Sequence, residues 1–154
     1  MSETRTHHVE LRFVRGYEFV ATFRDKENVP AVPALVFDEP APLGEGTGPS
    51  AAAVLAAAVG DCLAASFAFC LRKVRLEPID MAVNVAAHVE RNEQGRFRIT
   101  GIDVELNPQL LEADRSREER CAKLFEDFCI VTESVRRGIP VNVKIVDPIG
   151  ERAA

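Results

Sequence analysis

The stretch AAAVLAAAVGDCLAASFAFCL, residues 51–71, decides the fold of this chain. It is long enough to span a bilayer, and Asp61 is its only charged residue. Alanine, which is only weakly apolar, fills nine of its positions, and a central Asp would cost about 2.5–3.5 kcal/mol in a membrane. A helix that is apolar on all sides also suits the interior of a globular protein. We therefore predict a fully buried central helix and no membrane span.

The flanking residues set the ends of this helix. The preceding segment DEPAPLGEGTGPS, residues 38–50, is too rich in Gly and Pro for a helix or a central strand and predicts a loop. Pro49 and Ser50 suit the first positions of a helix. The helix should run to about Val74, because Pro78 prevents it from continuing much further.

Alternating apolar and polar residues predict strands on both sides of the helix. Before it, the pattern indicates a hairpin that turns at Arg15-Gly16, followed by a short strand at 34–37. After it, two strands should pair around a turn at 92–95, with a bulge at Gly101 where the apolar phase slips. A last strand should close the chain at 139–146, with inward side chains from Val141, Val143 and Ile145.

Two further helices are predicted between these strands. Ser116 and Glu119 have the spacing of a capping box, and one side of the helix that they open would carry Cys121, Leu124, Phe125 and Phe128. A short helix at 131–137 should end at Gly138. The element order predicts an α+β fold with antiparallel sheets around one buried helix. We expect a single domain over 1–154, with N-terminal strands and a loop in 1–47 and a helix-centred body in 48–154.

Composition narrows the classes of function. A net charge of −5 argues against non-specific nucleic-acid binding, which needs clustered positive charge. The N-terminus lacks the apolar run of a secretory signal, so we expect the four cysteines to be reduced thiols in a cytoplasmic protein. The cysteine spacing does not match a structural zinc site, and His7, His8 and His88 read as surface residues. We predict no metal and no cofactor.

The cysteines form two sets with the same spacing, Cys62 with Cys70 and Cys121 with Cys129. Eight helical residues rise about 12 Å, whereas a disulfide needs Cα atoms about 4.4–6.8 Å apart. Any redox pair must therefore join one helix to the other, unless all four are simply small core residues. Cys62 follows Gly60, which could leave its sulfur accessible, and Cys129 lies where two helical segments meet, a more open position than mid-helix. Cys70 and Cys121 are interpreted as core residues.

Two segments resemble the OsmC/Ohr family of thiol-dependent hydroperoxide reductases: GPSAAAVLAAAVGDCLA at 48–64 and CIVTESVRRGIPVNVKI at 129–145. The resemblance implies an intertwined homodimer with two active sites near the subunit interface. It also implies that the Cys62 thiolate attacks the peroxide O–O bond of an organic hydroperoxide and that Cys129 captures the sulfenic acid. An external dithiol, which is a lipoylated protein for some members, would then reduce the disulfide.

The resemblance is weaker for the group that activates the thiol. Family members of the Ohr branch use an N-terminal Arg held by a Glu of the central helix. Arg15 is the closest candidate, with Arg12 and Arg24 on the same ribbon, and Ala53 stands at the Glu position. The carboxylate could instead come from Asp61, Glu39 or Glu45.

Three functions remain open from the sequence. The first is a hydroperoxide reductase that uses Cys62, Cys129 and Arg15. The second, suggested by the missing Glu, is a non-catalytic dimer that binds a small apolar ligand. The third, a purely structural dimer, rests on composition alone.

Overall fold

The computed structural model describes residues 5–23, 33–110 and 115–146. It confirms the α+β class, with two antiparallel sheets and a long helix between them in sequence. One sheet has the order β1-β2-β3, and the other is the two-stranded ribbon β4-β5. The elements in chain order are β1 Val9–Arg15, β2 Glu18–Phe23, β3 Leu35–Phe37, α1 Ala51–Lys73, β4 Pro78–Arg91, β5 Phe97–Leu110, α2 Arg115–Leu124, a 3₁₀ helix Phe125–Phe128, and α3 Ile130–Arg137.

Helix α1 begins and ends where the sequence predicts. The Ser50 side chain caps it by accepting a hydrogen bond from the Ala53 backbone N–H at 3.3 Å. By length and composition α1 could cross a membrane, but it packs against β4, β5, α2, α3 and the 3₁₀ helix. The prediction of full burial is wrong for the single chain, because one face is buried and Leu55 and Phe69 of the other are exposed. The buried residues are Ala56, Val59, Gly60, Leu63, Phe67 and Leu71.

The β4-β5 ribbon confirms the predicted alternation and bulge. From Met81 to Ala87, every second side chain is partly buried, as expected for a strand with one face on a core. The register shifts where His88 pairs with Gly101 and Val89 pairs with Ile99, which leaves Thr100 as the extra residue. The ribbon therefore covers α1 with one face.

Gly60 serves packing and does not open a path to Cys62 as the sequence suggested. A Cβ at this position would lie 2.5 Å from Val85 Cγ2 and 3.6 Å from Val83 Cγ1. The absence of a side chain thus lets α1 approach β4 closely.

Replacing Gly60 with Ala should destabilise the protein. Overpacking of this kind costs about 1–3 kcal/mol, and the higher helix propensity of Ala offsets only part of that. We expect a lower urea midpoint for Gly60→Ala and partial recovery when Val85→Ala is added. Gly101→Ala is the control, because its Cβ would meet only His88 Cδ2 at 3.7 Å. A Gly60→Ala protein at least as stable as the original would contradict this packing.

The C-terminal segment differs from its prediction. Residues 139–146 form no strand, and the side chains predicted to face inward are among the most exposed of the described residues: Val141 at 81%, Val143 at 83% and Ile145 at 89%. The alternation is that of a strand, but a strand needs a neighbouring backbone to accept its hydrogen bonds. No strand of the described residues pairs with this segment.

The loop before α1 is organised around Asp38. Its carboxylate accepts backbone N–H bonds from Glu39 at 2.8 Å, Glu45 at 3.0 Å and Thr47 at 3.0 Å. These bonds, that of Thr47 first, lower the pKa of Asp38 below its ordinary 3.8 against the opposing effect of burial. Because the folded-state pKa is the lower one, this stabilisation is present above the ordinary pKa and is lost as the pH falls through the lowered one.

Candidate functional site

The fold brings Cys62 and Cys129 together. Cys62 lies on the α1 face that meets α3, and Cys129 lies between the 3₁₀ helix and α3, as the sequence predicts. Both are free thiols, and each contributes to the pKa shift of the other, because the two sulfurs lie side by side. Cys62 is half-buried, whereas Cys129 is 1% exposed. The expectation that Cys129 is the more open position is wrong, because the helix junction is covered by α1.

Two hydroxyl groups that the sequence analysis missed surround Cys129. The Cys129 thiol donates a hydrogen bond to Thr132 Oγ1 at 3.0 Å inside the protein, and the Ser66 hydroxyl lies close enough to contribute to lowering the pKa of Cys129. Spacing could have indicated both residues. Thr132 is three residues after Cys129 and Ser66 is four after Cys62, so each shares a helix face with its cysteine.

The two thiols have opposite pKa shifts. Burial and the hydrogen bond with Cys129 raise the pKa of Cys62, although the backbone N–H groups of Val131 and Ile130 act in the other direction. Burial also raises the pKa of Cys129, but hydrogen bonds from Cys62 and Thr132 outweigh it, so the pKa is lowered. A pair that shares a proton in this way loses the first one more easily than an isolated thiol. The directions of the two shifts favour Cys129 as the thiol of the pair that ionises first and forms the thiolate.

Replacing Thr132 with Val should weaken this thiolate. The change removes the hydroxyl at nearly constant volume, and a hydrogen bond to a charged group contributes about 1.5–3 kcal/mol. We expect the thiols to react with an alkylating agent about tenfold more slowly near neutral pH. Since a cause of pKa lowering is removed, the rise of the pH–rate profile should move to higher pH. Thr132→Ser keeps the hydroxyl and should keep the original profile; an unshifted profile for Thr132→Val would count against the role of this hydroxyl.

Arg15 contacts the loop that precedes α1, whereas Cys62 and Cys129 lie between α1 and α3. Among the described residues, its guanidinium forms ion pairs with Glu45 at 2.9 Å and Glu18 at 3.7 Å. Glu45, one of the three carboxylates considered as a substitute for the family Glu, therefore orients Arg15. Ala53 lies with Asp61 in a groove between α1 and β4.

The other two arginines add little to the site. Arg12 forms an ion pair with Glu10 at 2.8 Å, and Arg24 lies outside the described residues. Whether Arg15 acts on Cys62 stays a prediction of the resemblance.

A cavity of about 530 Å³ lies next to Thr132, and neither Cys62 nor Cys129 is among its lining residues. Thr132, which binds Cys129, forms part of its wall, and Arg136 lies at its polar side, held by Glu126 at 2.5 Å and Glu133 at 3.1 Å. Most of its lining is apolar, so it suits an organic group better than an ion. The apolar lining residues are Leu55, Val59, Leu63, Ile99, Ile102, Val104, Leu106, Phe125 and Val135.

The remaining two cysteines are not the reduced thiols that the sequence predicted. Cys70 and Cys121 form a disulfide, with Cα atoms 5.6 Å apart. The expectation of four reduced thiols is therefore wrong, although the rule that a pair must join two helices is confirmed. Cys121 is fully buried, as expected for a core residue, and Cys70 is partly buried beside it.

The fold and the paired thiols define a helix-centred α+β protein with a dithiol between α1 and α3. The sequence profile of OsmC-like proteins matches residues 44–144, and the chain belongs to this family. A comparison with curated protein sequences finds no match.

Solved structures share the fold at low sequence identity. An OsmC-like protein of unknown function from Vibrio cholerae superposes with a TM-score of 0.71 at 13% identity, covering 85% of this chain and 94% of that one. The organic hydroperoxide resistance protein OsmC from Legionella pneumophila gives 0.64 at 14% identity, covering 88% and 92%. The organic hydroperoxide resistance protein OhrB of Bacillus subtilis gives 0.59 at 19% identity, covering 86% and 91%. At these identities the likeness establishes the fold.

Proposed function

We propose that the chain is a thiol peroxidase that reduces organic hydroperoxides at Cys62 and Cys129. The observation that carries the proposal is that these two free thiols lie side by side between α1 and α3. Membership of the OsmC-like family supports it, as does the fold shared with proteins named for organic hydroperoxide resistance.

The geometry supports a specific division of roles. Cys62 is the more accessible sulfur, so it attacks the distal oxygen of the hydroperoxide. Its proton passes to the neighbouring Cys129 thiolate, which acts as the general base. The O–O bond breaks, the alkoxide leaves and takes up a proton from water, and Cys62 becomes a sulfenic acid.

Cys129 then closes the cycle as the resolving residue. Cys129 is now a thiol, and it loses its proton as its sulfur attacks the Cys62 sulfur. The hydroxyl group of the sulfenic acid leaves with that proton as water, and the Cys62–Cys129 disulfide forms. In sum, one hydroperoxide and two thiols give one alcohol, one water and one disulfide. An external dithiol, such as a lipoylated protein, restores the thiols in a cytoplasmic setting. Within one chain Arg15 lies away from the thiols, so its role in orienting the peroxide requires the second copy of the homodimer proposed below. The ion pair with Glu45 would hold the guanidinium in place for that role.

Titration with cumene hydroperoxide tests the proposal. Protein whose Cys62 and Cys129 are reduced should consume one equivalent of peroxide and lose two thiols. Adding dihydrolipoate in excess should then give continuous turnover. If the thiol content stays constant while peroxide is present, the chain is not a thiol peroxidase.

The cavity next to Thr132 also favours a second candidate function, binding of a small apolar ligand without catalysis. Arg136 at the polar side is already paired with Glu126 and Glu133, so the cavity suits an uncharged apolar ligand. Cys62→Ser separates the two functions, because it should abolish peroxide reduction and leave binding of a medium-chain alcohol unchanged. Binding without any thiol loss in the original protein would favour this second function.

We further propose that two copies of the chain form a homodimer, as the resemblance implies. The exposed stretch 139–146 has the alternation of a strand, and no strand within residues 5–23, 33–110 and 115–146 pairs with it. Exposed apolar side chains on α1, including Leu55 and Phe69, give a second surface that a partner would cover. A second copy offers both a strand partner and a matching apolar face.

Replacing Val143 with Lys should disrupt this assembly. The charge would be buried without a partner if 139–146 pairs with another chain. Light scattering should give a dimer for the original protein and a monomer for Val143→Lys. Gln94→Lys, in the exposed turn between β4 and β5, is the control and should remain dimeric. A monomeric original protein, or a dimeric Val143→Lys, would contradict the proposal.

A further inference from the structure

Helix α1 provides one cysteine to each of two pairs, and the two pairs are in opposite redox states. Cys70 and Cys121 are joined in a disulfide, whereas Cys62 and Cys129 are free. Each pair connects α1 to the 115–137 region. The two cysteines on α1 are eight residues apart in sequence, and so are their two partners. Eight helical residues correspond to about 12 Å, so the pairs are too far apart to exchange directly. Each must therefore be oxidised and reduced independently.

Helix α2 depends on the Cys70–Cys121 disulfide for its attachment. Cys121 is the one buried residue of α2, and Leu124, its other large apolar residue, is exposed. The Arg117 guanidinium adds a hydrogen bond to the Val74 carbonyl oxygen at 2.9 Å. A polar helix that buries a single side chain belongs to the least stable part of a fold. The disulfide is thus the covalent link between α2 and α1, at the one side chain that α2 buries.

The two sulfurs differ in accessibility. Cys121 is fully buried, but Cys70 lies in the last turns of α1 and is partly exposed. Of the two residues, Cys70 is therefore the one that a small thiolate would attack. The S–S bond breaks, Cys121 leaves as a thiolate and takes up a proton, and a mixed disulfide forms on Cys70. The second thiol of a dithiol then releases Cys70, so that the dithiol is oxidised and the protein is reduced.

The attachment of α2 also bears on the position of Cys129. Phe125, which directly follows α2, packs against Phe67 with ring centroids 5.0 Å apart and contacts both hydrophobic clusters. One of these clusters contains Cys121 and the other contains Cys129. Movement of α2 would be transmitted through Phe125 to the segment that places Cys129.

We propose that Cys70–Cys121 is a second redox site of this chain, which accepts electrons from a small dithiol and controls the attachment of α2. The proposal stands whether or not Cys62 reacts with peroxide. It differs from a purely structural crosslink in that the native protein exchanges with a dithiol and α2 loosens when the bond opens.

The full-length Cys62→Ser/Cys129→Ser variant isolates this site for a test. It is equilibrated with mixtures of reduced and oxidised dithiothreitol without denaturant, alkylated, and mapped by mass spectrometry. Cys70 and Cys121 should become alkylated together, in proportion to the ratio of reduced to oxidised reagent, as a two-electron pair requires. Hydrogen exchange of the amides in 115–124 should be at least about tenfold faster in the reduced form, whereas exchange in 81–87 should not change.

Three results would overturn the proposal. Separate alkylation of Cys70 and Cys121 after oxidation would mean that they are not a pair. Reduction that requires denaturant would make the disulfide a structural crosslink only. Equal hydrogen exchange of α2 in both states would remove its control of α2. The Cys70→Ser/Cys121→Ser variant is the matched control, and its α2 should exchange rapidly at every dithiothreitol ratio.

Discussion

Replacing Cys62 with Ser is expected to abolish hydroperoxide consumption. Serine is similar in size to cysteine and can form hydrogen bonds, but its hydroxyl is a far weaker nucleophile than a thiolate at neutral pH. Cys129 cannot substitute for it, because it is 1% exposed and lies beneath α1. The rate of peroxide loss, followed by a colorimetric assay under excess protein, should fall by at least about 10³-fold, the scale on which a required nucleophile acts.

Cys129→Ser is the matched control, and its effect should differ in kind. This variant keeps the attacking sulfur, so one equivalent of peroxide should still convert Cys62 to a sulfenic acid that a dimedone probe traps. Loss of the base should slow that step by about 10²-fold, the lower end of general-base contributions. No disulfide involving Cys62 and Cys129 can form. If Cys62→Ser consumed peroxide at the original rate, the assignment of Cys62 as nucleophile would be wrong.

Removing the Cys70–Cys121 disulfide is expected to have the largest effect on stability. The crosslink spans 51 residues of sequence, and closing a loop of this length stabilises a protein by about 4 kcal/mol through the entropy of the unfolded chain. For a domain of this size, that corresponds to a fall in Tm of about 8–16 °C. Calorimetry of the oxidised protein and of Cys70→Ser should reveal the difference.

The reduced original protein is the control for this effect. Cys70→Ser changes both the bond and a side chain, whereas reduction removes the bond alone. We expect the reduced protein to unfold close to the temperature of Cys70→Ser. Equal unfolding temperatures for the oxidised and reduced forms would show that the disulfide does not contribute to stability.

The sequence predicted the elements whose signals are local. Ser50 caps α1 as expected, and the alternation in 81–87 produced the ribbon with its bulge at Gly101. The closing strand at 139–146 was wrong for the single chain, because alternation specifies how a strand is buried and says nothing about which backbone pairs with it.

The site was predictable in part for the same reason. Helix rise correctly excluded pairing within a helix, and the resemblance selected Cys62 with Cys129, which the fold brings into contact. The disulfide of Cys70 with Cys121 was missed, although equal spacings on two antiparallel segments allow two pairs as readily as one. The hydroxyl of Thr132 was also missed, because a single Thr in a helix is ordinary until the burial of its neighbour is known.

Peptide mapping after one equivalent of cumene hydroperoxide tests the central claim most directly. The protein is prepared with Cys62 and Cys129 reduced, treated with peroxide, alkylated at acidic pH to block exchange, and digested without reduction. Our account predicts a new disulfide-linked peptide joining Cys62 to Cys129. Recovery of both residues as alkylated free thiols, with the peroxide unconsumed, would contradict it.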